Sequence, residues 1–160
     1  MVNTEGRAEY ELRAVQNILA WLREHGLDNF TYHQTAFDYG TVRQIARDIN
    51  VIAFVAGIVL AQHSHTHKAV ICSSADDLRR QAPMPWTQEL RRWLTERMCG
   101  RELEWLMPNA KKTKAEVIGE MPPDLYALCW HCRVPKDGKP CGGCETCREV
   151  AAAEAWLKGG

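Results

Sequence analysis

The sequence predicts an α/β fold, a parallel sheet with helices on both faces, that ends in a separate cysteine-rich segment. Three observations predict it. Stretches with helical apolar spacing alternate with short hydrophobic runs, the rhythm of strand–helix–strand units. The 160 residues are 46% hydrophobic, enough to build one core. Five of the seven cysteines fall between Cys129 and Cys147, which sets residues 129–160 apart from an α/β part at 1–128.

The elements follow in order. From Ala8 to His25, Leu12, Val15, Ile18, Leu19 and Leu22 share one helical face, and Gly26 stands where a helix C-cap is expected. Phe30 and Tyr32 alternate with polar neighbours, as in a short strand. Thr41 is a candidate N-cap for a long helix running to about Gln62. Lys68 to Ser73 reads as a short buried strand. Trp86 to Cys99 is helical after Pro83 and Pro85, with Leu90, Trp93, Leu94 and Met98 on one side. Glu102 to Met107 suggests another strand, stopped by Pro108. Thr113 to Met121 opens with a capping-box pattern, Thr113 with Glu116 three positions on. Glu145 to Leu157 is an Ala-rich final helix.

Twenty Lys plus Arg balance twenty Asp plus Glu, which argues against nucleic acid or an anionic membrane as the main partner. Lys111, Lys112 and Lys114 form only a local basic strip. Met1 to Gly6 has no signal-peptide character. The longest apolar run, Val51 to Ala61, is shorter than the roughly 17–25 residues that span a bilayer. A soluble, cytoplasmic protein is expected.

The cysteines crowd into one end of a chain that has a core, unlike a secreted disulfide framework. The run from Cys129 to Cys147 reads C-W-H-C-R-V-P-K-D-G-K-P-C-G-G-C-E-T-C. Zinc takes four ligands in a tetrahedron and favours thiolates. Cys141-x-x-Cys144 lets the chain turn back so that both sulfurs face one ion, and Gly142 and Gly143 ease that turn. Cys147 follows at the entry of the last helix, and Cys132 lies across a Pro/Gly-containing loop. Five cysteines compete for four places, His131 is a further candidate, and a Cys129/Cys132 redox pair or plain disulfides are the competing readings. A site with four protein ligands is closed, and its role is to hold the fold. Cys72 and Cys99 read as core residues.

Other features are weaker. His63, His65 and His67 alternate and can capture a transition metal, although an exposed connection is the plainer reading. Asp76 and Asp77 follow the Lys68 strand, where an α/β sheet places ligand-binding groups; a solvated helix cap is the equal alternative. The six tryptophans, Trp21, Trp86, Trp93, Trp105, Trp130 and Trp156, stand at core-like positions.

The cysteine run resembles the ending of the QueC family, the 7-cyano-7-deazaguanine synthases among the ATP-pyrophosphatases. That ending has Trp-x-Cys, eight residues, then Cys-Gly-x-Cys-x-x-Cys and a basic residue. Trp130-His131-Cys132, an eight-residue gap, Cys141-Gly142-Gly143-Cys144-Glu145-Thr146-Cys147 and Arg148 follow it. Thr113-Lys114-Ala115-Glu116 resembles the family's (Ser/Thr)-Lys-x-Glu helix start. Arg47-Asp48 is similar to its Arg-Asn element, and Asp77 to the Asp after its strand. The resemblance covers roughly Gly40 to Arg148, and the cysteine motif is its specific part.

The resemblance implies a structural zinc ion on Cys132, Cys141, Cys144 and Cys147, with Cys129 left out, and a truncated Rossmann-like sheet of the ATP-pyrophosphatase type. Arg47, Asp77 and Lys114 become a candidate vestigial ligand site. The family's Ser-Gly-Gly-x-Asp-Ser phosphate loop has no counterpart here. The serines are Ser64, Ser73 and Ser74, and the Gly-Gly pairs lie in the cysteine loop and at the C-terminus. The implied function is therefore a QueC-like zinc protein without the ATP site, a non-catalytic structural or partner-binding module. A subunit of a split 7-cyano-7-deazaguanine synthase and a 7-deazaguanine-binding protein are the alternatives. A truncated sheet also leaves an edge that a second copy or another chain is expected to cover. Family members are often virus-encoded, which adds the virion as an alternative location.

Overall fold

A computed structural model describes residues 7–35, 48–81 and 86–159. The elements are α1 (Ala8–Glu24), α2 (Asp48–Ala61), β1 (Lys68–Val70), α3 (Ala75–Gln81), α4 (Trp86–Cys99), β2 (Glu104–Leu106), α5 (Lys114–Gly119), α6 (Pro123–Ala127) and α7 (Glu145–Gly159). Thr41, Arg47, Pro83 and Pro85 lie outside the described residues. The chain is mixed α/β and mostly helical, and its described sheet has two parallel strands. It falls into two compact units, one within Phe37–Lys112 and one within Val2–Ala36 plus Thr113–Gly160. This grouping differs from the division at 128/129 drawn from the sequence, because α1 and α5 cluster with the cysteine segment.

In the first unit α2 packs on α4 through small residues. Ala53 and Gly57, four apart on α2, meet Thr95 and Met98. The Thr95 hydroxyl donates to the Ala53 carbonyl at 3.1 Å, so this buried polar group is satisfied. The buried row on α4 is Arg91, Thr95 and Cys99. The expected apolar face is rotated from this row: Leu90, Leu94 and Met98 are half-buried. Trp93 is 60% exposed, as are Trp86 at 53% and Trp156 at 61%, which corrects the core placement of these three tryptophans. Contact at helix-crossing distance selects short side chains, and a bulky indole on that row would force the axes apart.

β1 and β2 pair in parallel with Lys68 opposite Glu104 and Val70 opposite Leu106. The connection between them runs through α3 and α4, as a parallel pair requires. Glu96 ties α4 to β2, accepting from the Trp105 indole at 2.7 Å and the Leu103 amide at 3.2 Å. β1 ends sooner than expected because Ser74 starts a local cap, its amide and hydroxyl both donating to Asp77 at 3.1 and 2.8 Å. Cys72, expected in the core, is exposed beyond the strand; Cys99 is buried.

Arg101 fixes the exit of α2. Its guanidinium donates to the carbonyls of Leu60 at 2.8 Å, His63 at 2.7 Å and Thr66 at 2.8 and 3.0 Å. These carbonyls belong to the last turn of α2 and the bend after it, where cation and helix dipole attract.

In the second unit α1 ends as expected. Leu27 N–H reaches the Leu22 carbonyl at 2.8 Å and Gly26 N–H the Arg23 carbonyl at 3.0 Å, with Gly26 at φ 72°. This paired closure is the Schellman arrangement that favours glycine. Phe30 and Tyr32 are exposed and outside any strand, a correction to the expected strand. Phe30 is held locally, its amide on the Asp28 carbonyl and its ring 5.6 Å from the Arg23 guanidinium. α1 is anchored by Trp21, whose indole donates to Asp124 at 2.6 Å, and by Tyr10, stacked on Trp130 at 4.8 Å. α5 carries the predicted capping box on Thr113 and Glu116.

Candidate metal centre

The cysteine site is assembled by a hairpin, a glycine turn and a helix start. After Cys132 the chain reverses at Lys136–Lys139, which exchange two backbone hydrogen bonds at 3.0 and 2.9 Å. Asp137 and Gly138 both have positive φ, 49° and 77°, the conformation of a two-residue hairpin turn that Asp-Gly favours. The reversal returns the chain beside Cys132, so that the Cys141 amide donates to Cys132 Sγ at 3.2 Å. Gly142 at φ 70° then turns the Cys141–Cys144 loop, and the Cys144 amide donates to Cys141 Sγ at 3.3 Å. Cys147 is supplied by the first turn of α7.

The result is four sulfurs, those of Cys132, Cys141, Cys144 and Cys147, all within 4.8 Å of one another. With metal–sulfur bonds of ~2.3 Å, tetrahedral sulfurs lie ~3.8 Å apart, so a small contraction fits the set around one ion. Cys132 and Cys147 are buried, Cys141 and Cys144 half-buried. All seven cysteines are free thiols, so no disulfide competes for these sulfurs.

The electrostatics are divided among the four thiols. Backbone amides, from Cys144 and Gly143, hold the Cys141 thiol below its ordinary range. Amides of Arg133 and Cys147 bring Cys144 down to about 6. Burial pushes Cys147 up to about 12. Amides and the start of α7 thus favour anionic sulfur on one side, while burial opposes it on the other. A dication among them offsets that burial cost and makes all four thiolates favourable ligands. Arg148 donates to the Gly143 carbonyl at 2.5 Å, and the Trp130 indole to the Cys132 carbonyl at 2.8 Å. Both brace the loops that carry the sulfurs, as outer-shell contacts do at metal sites.

Cys129 stays apart from the set. Its sulfur lies 3.8 Å from the Met121 sulfur and 3.6 Å from the Leu125 carbonyl, and burial raises its pKa. His131 is half-buried and is not in the cluster. Of the residues proposed for a second ligand site, Asp77 is engaged with Ser74 and pairs with Arg80 at 2.6 Å. Lys114 pairs with Glu149. Arg47 lies outside the described residues. In the sequence Trp130 and Arg148 stand out only as positions of the resembling motif, and their hydrogen bonds give them bracing roles that the motif does not specify.

No protein-family model, curated protein or solved structure matches the chain. No helix among the described residues is long and apolar enough to cross a membrane.

Proposed function

We propose that this chain is a zinc protein whose four-cysteine site is structural, and that it acts as a non-catalytic partner-binding module. The carrying observation is the convergence of four thiol sulfurs within 4.8 Å. A soft, all-sulfur, four-coordinate set is the donor chemistry of zinc. Bound there, zinc would cross-link the Cys132 loop, the Cys141–Cys144 turn and the start of α7. With four protein ligands it leaves no open position for a water or substrate, so the site contributes folding energy rather than chemistry.

The partner reading has its own support. Ile71 N–H bonds to the Leu106 carbonyl and Glu104 N–H to the His67 carbonyl. In a parallel pair this parity turns the N–H and C=O of Val70 away from β2, toward the outer edge of β1. Val70 is 57% exposed, and Trp86 and Trp93 are exposed one heptad apart on α4. Sheet edges and exposed aromatic residues are features of protein interfaces. A homo-oligomer or a complex with another chain satisfies both.

The resemblance of Trp130–Arg148 to the QueC ending is what links the module to the 7-cyano-7-deazaguanine synthases. The Ser-Gly-Gly-x-Asp-Ser loop that would cradle ATP phosphates is not in the 160 residues. Under this proposal the pure protein neither hydrolyses ATP nor converts 7-carboxy-7-deazaguanine to its nitrile. A split enzyme, completed by a second chain, is the second reading, and the retained motif is what favours it.

Elemental analysis of the purified protein tests the metal. About one zinc per chain is expected, lost in Cys144→Ala and retained in Cys129→Ala. A metal-free protein with disulfides among these cysteines would overturn it. Sedimentation at micromolar concentration, alone and with co-purifying chains, tests the module. A strict monomer without partners removes the partner reading, and nitrile product from the pure chain removes the non-catalytic one.

A further inference from the structure

The turn after α2 presents two imidazoles side by side on a fixed backbone. The His63 and His65 ring centroids are 6.1 Å apart, nearly perpendicular at 87°. His65 is exposed and His63 half-buried. With metal–nitrogen bonds of ~2.1 Å each ring centroid sits ~3.2 Å from an ion, so two rings on one tetrahedral ion lie ~5.2 Å apart. The observed separation exceeds this by about 0.9 Å, a closure within reach of side-chain torsions.

The backbone under the pair is held from three directions. Thr66 N–H closes the turn on the His63 carbonyl at 3.0 Å, and His63 N–H bonds to the Leu60 carbonyl at 3.0 Å. The Arg101 guanidinium spans the carbonyls of Leu60, His63 and Thr66. The backbone that carries both histidines is therefore held before any ligand arrives, so binding rearranges side chains rather than the main chain. His67 does not join them, since among the described residues the four cysteines are the only cluster of three or more metal-ligating side chains. Its own backbone is committed to the sheet through Glu104 N–H.

We propose that His63 and His65 form a second metal site, distinct from the cysteine cluster and independent of the function proposed above. It takes an imidazole-preferring divalent transition cation of the Ni2+, Cu2+ or Zn2+ class. Two imidazoles would leave the remaining positions of the ion to water, which would make the site open and exchangeable. Nitrogen donors without thiolate select for this class rather than for the sulfur-demanding ions of an all-thiolate site.

Titration of Ni2+ into the zinc-loaded protein, followed by calorimetry, tests the site. One saturable Ni2+ per chain at micromolar to tens-of-micromolar concentration is expected, with the cysteine-bound zinc retained. His65→Ala, at an exposed position, should weaken binding at least tenfold, and His63→Ala should do the same with an unchanged circular dichroism spectrum. His67→Ala should leave the affinity within twofold. Uptake without saturation, uptake equally strong in His65→Ala, or a loss in His67→Ala as large as in His65→Ala would overturn the proposal.

Discussion

Gly57 sits at a close approach of α2 and α4. A Cβ there would stand 2.5 Å from Met98 Cβ and 2.7 Å from the Thr95 carbonyl oxygen, neither of which is the end of a flexible side chain. Alanine would gain about 1 kcal/mol of helix propensity, but overpacking a close helix contact costs about 1–3 kcal/mol. Gly57→Ala is therefore expected to lower the urea midpoint, and an unchanged or raised midpoint would show that the helices part freely. Tyr126 offers a pH readout. Burial, then its hydrogen bond to Glu154 at 2.7 Å, raises its pKa from 10 to about 12. A raised pKa means that the folded state prefers the neutral phenol. Its stabilising contribution is whole below about pH 10 and is lost as pH rises toward 12. The absorbance step at 295 nm removed by Tyr126→Phe should lie near pH 12, and a step near pH 10 would refute the buried contact. The four clustered cysteines were legible because a candidate metal site imposes spacing on the chain, with the family resemblance choosing four of the five. The sequence did not show Arg101, whose value lies in reaching three carbonyls at the exit of α2 at once, a matter of tertiary placement that no local pattern records.

At the scale of elements, local chemistry was legible wherever it was self-contained. The capping box of α5 and the glycine closure of α1 each need only residues within a few positions, and both formed as read. Phe30 and Tyr32 did not make a strand, because alternation is only permissive and a strand needs a partner edge. The face of α4 was misread for the same reason: Trp93 has the helical spacing of a core residue, while the approach of Gly57 selected Thr95 instead. The hairpin at Asp137-Gly138 is the element on which the metal centre depends most. Gly138 at φ 77° has Tyr10 Oη as the nearest atom to an added Cβ, at 3.9 Å. Space is available there, so Gly138→Ala acts through backbone strain of about 1–2 kcal/mol. Because that strain opposes bringing Cys132 beside Cys141, the variant should lose zinc to a chelator faster than wild type. Equal rates would mean that the loop reaches the metal-binding arrangement without this turn. Thr113→Ala, by contrast, should cost about 1 kcal/mol of stability through the lost cap and leave zinc content at one per chain.

For the whole molecule, the sequence pointed to one α/β body followed by a zinc segment, whereas α1 clusters with α5, α6 and α7. The signal that groups them is carried by pairs far apart in sequence, Trp21 with Asp124 and Tyr10 with Trp130, which periodicity cannot register. The consequence is energetic. All four cysteines of the candidate site belong to the second unit, and Tyr10 of α1 stacks on Trp130, two residues before Cys132. A ligand stabilises the cooperative unit that binds it and leaves others unchanged except through coupling. Removing the metal with a chelator under reducing conditions should therefore raise amide hydrogen exchange across residues 129–159 and also in α1, more than a hundred residues away in sequence. The α2–α4 pair should keep its protection under the same treatment and lose it instead in Gly57→Ala. If chelation left α1 protected while residues 129–147 opened, the Tyr10–Trp130 stack would not be what ties the helix to the metal-dependent part. If it opened α2 and α4 equally, the chain would unfold as one cooperative body, and the zinc would stabilise the whole protein rather than the unit that holds its ligands.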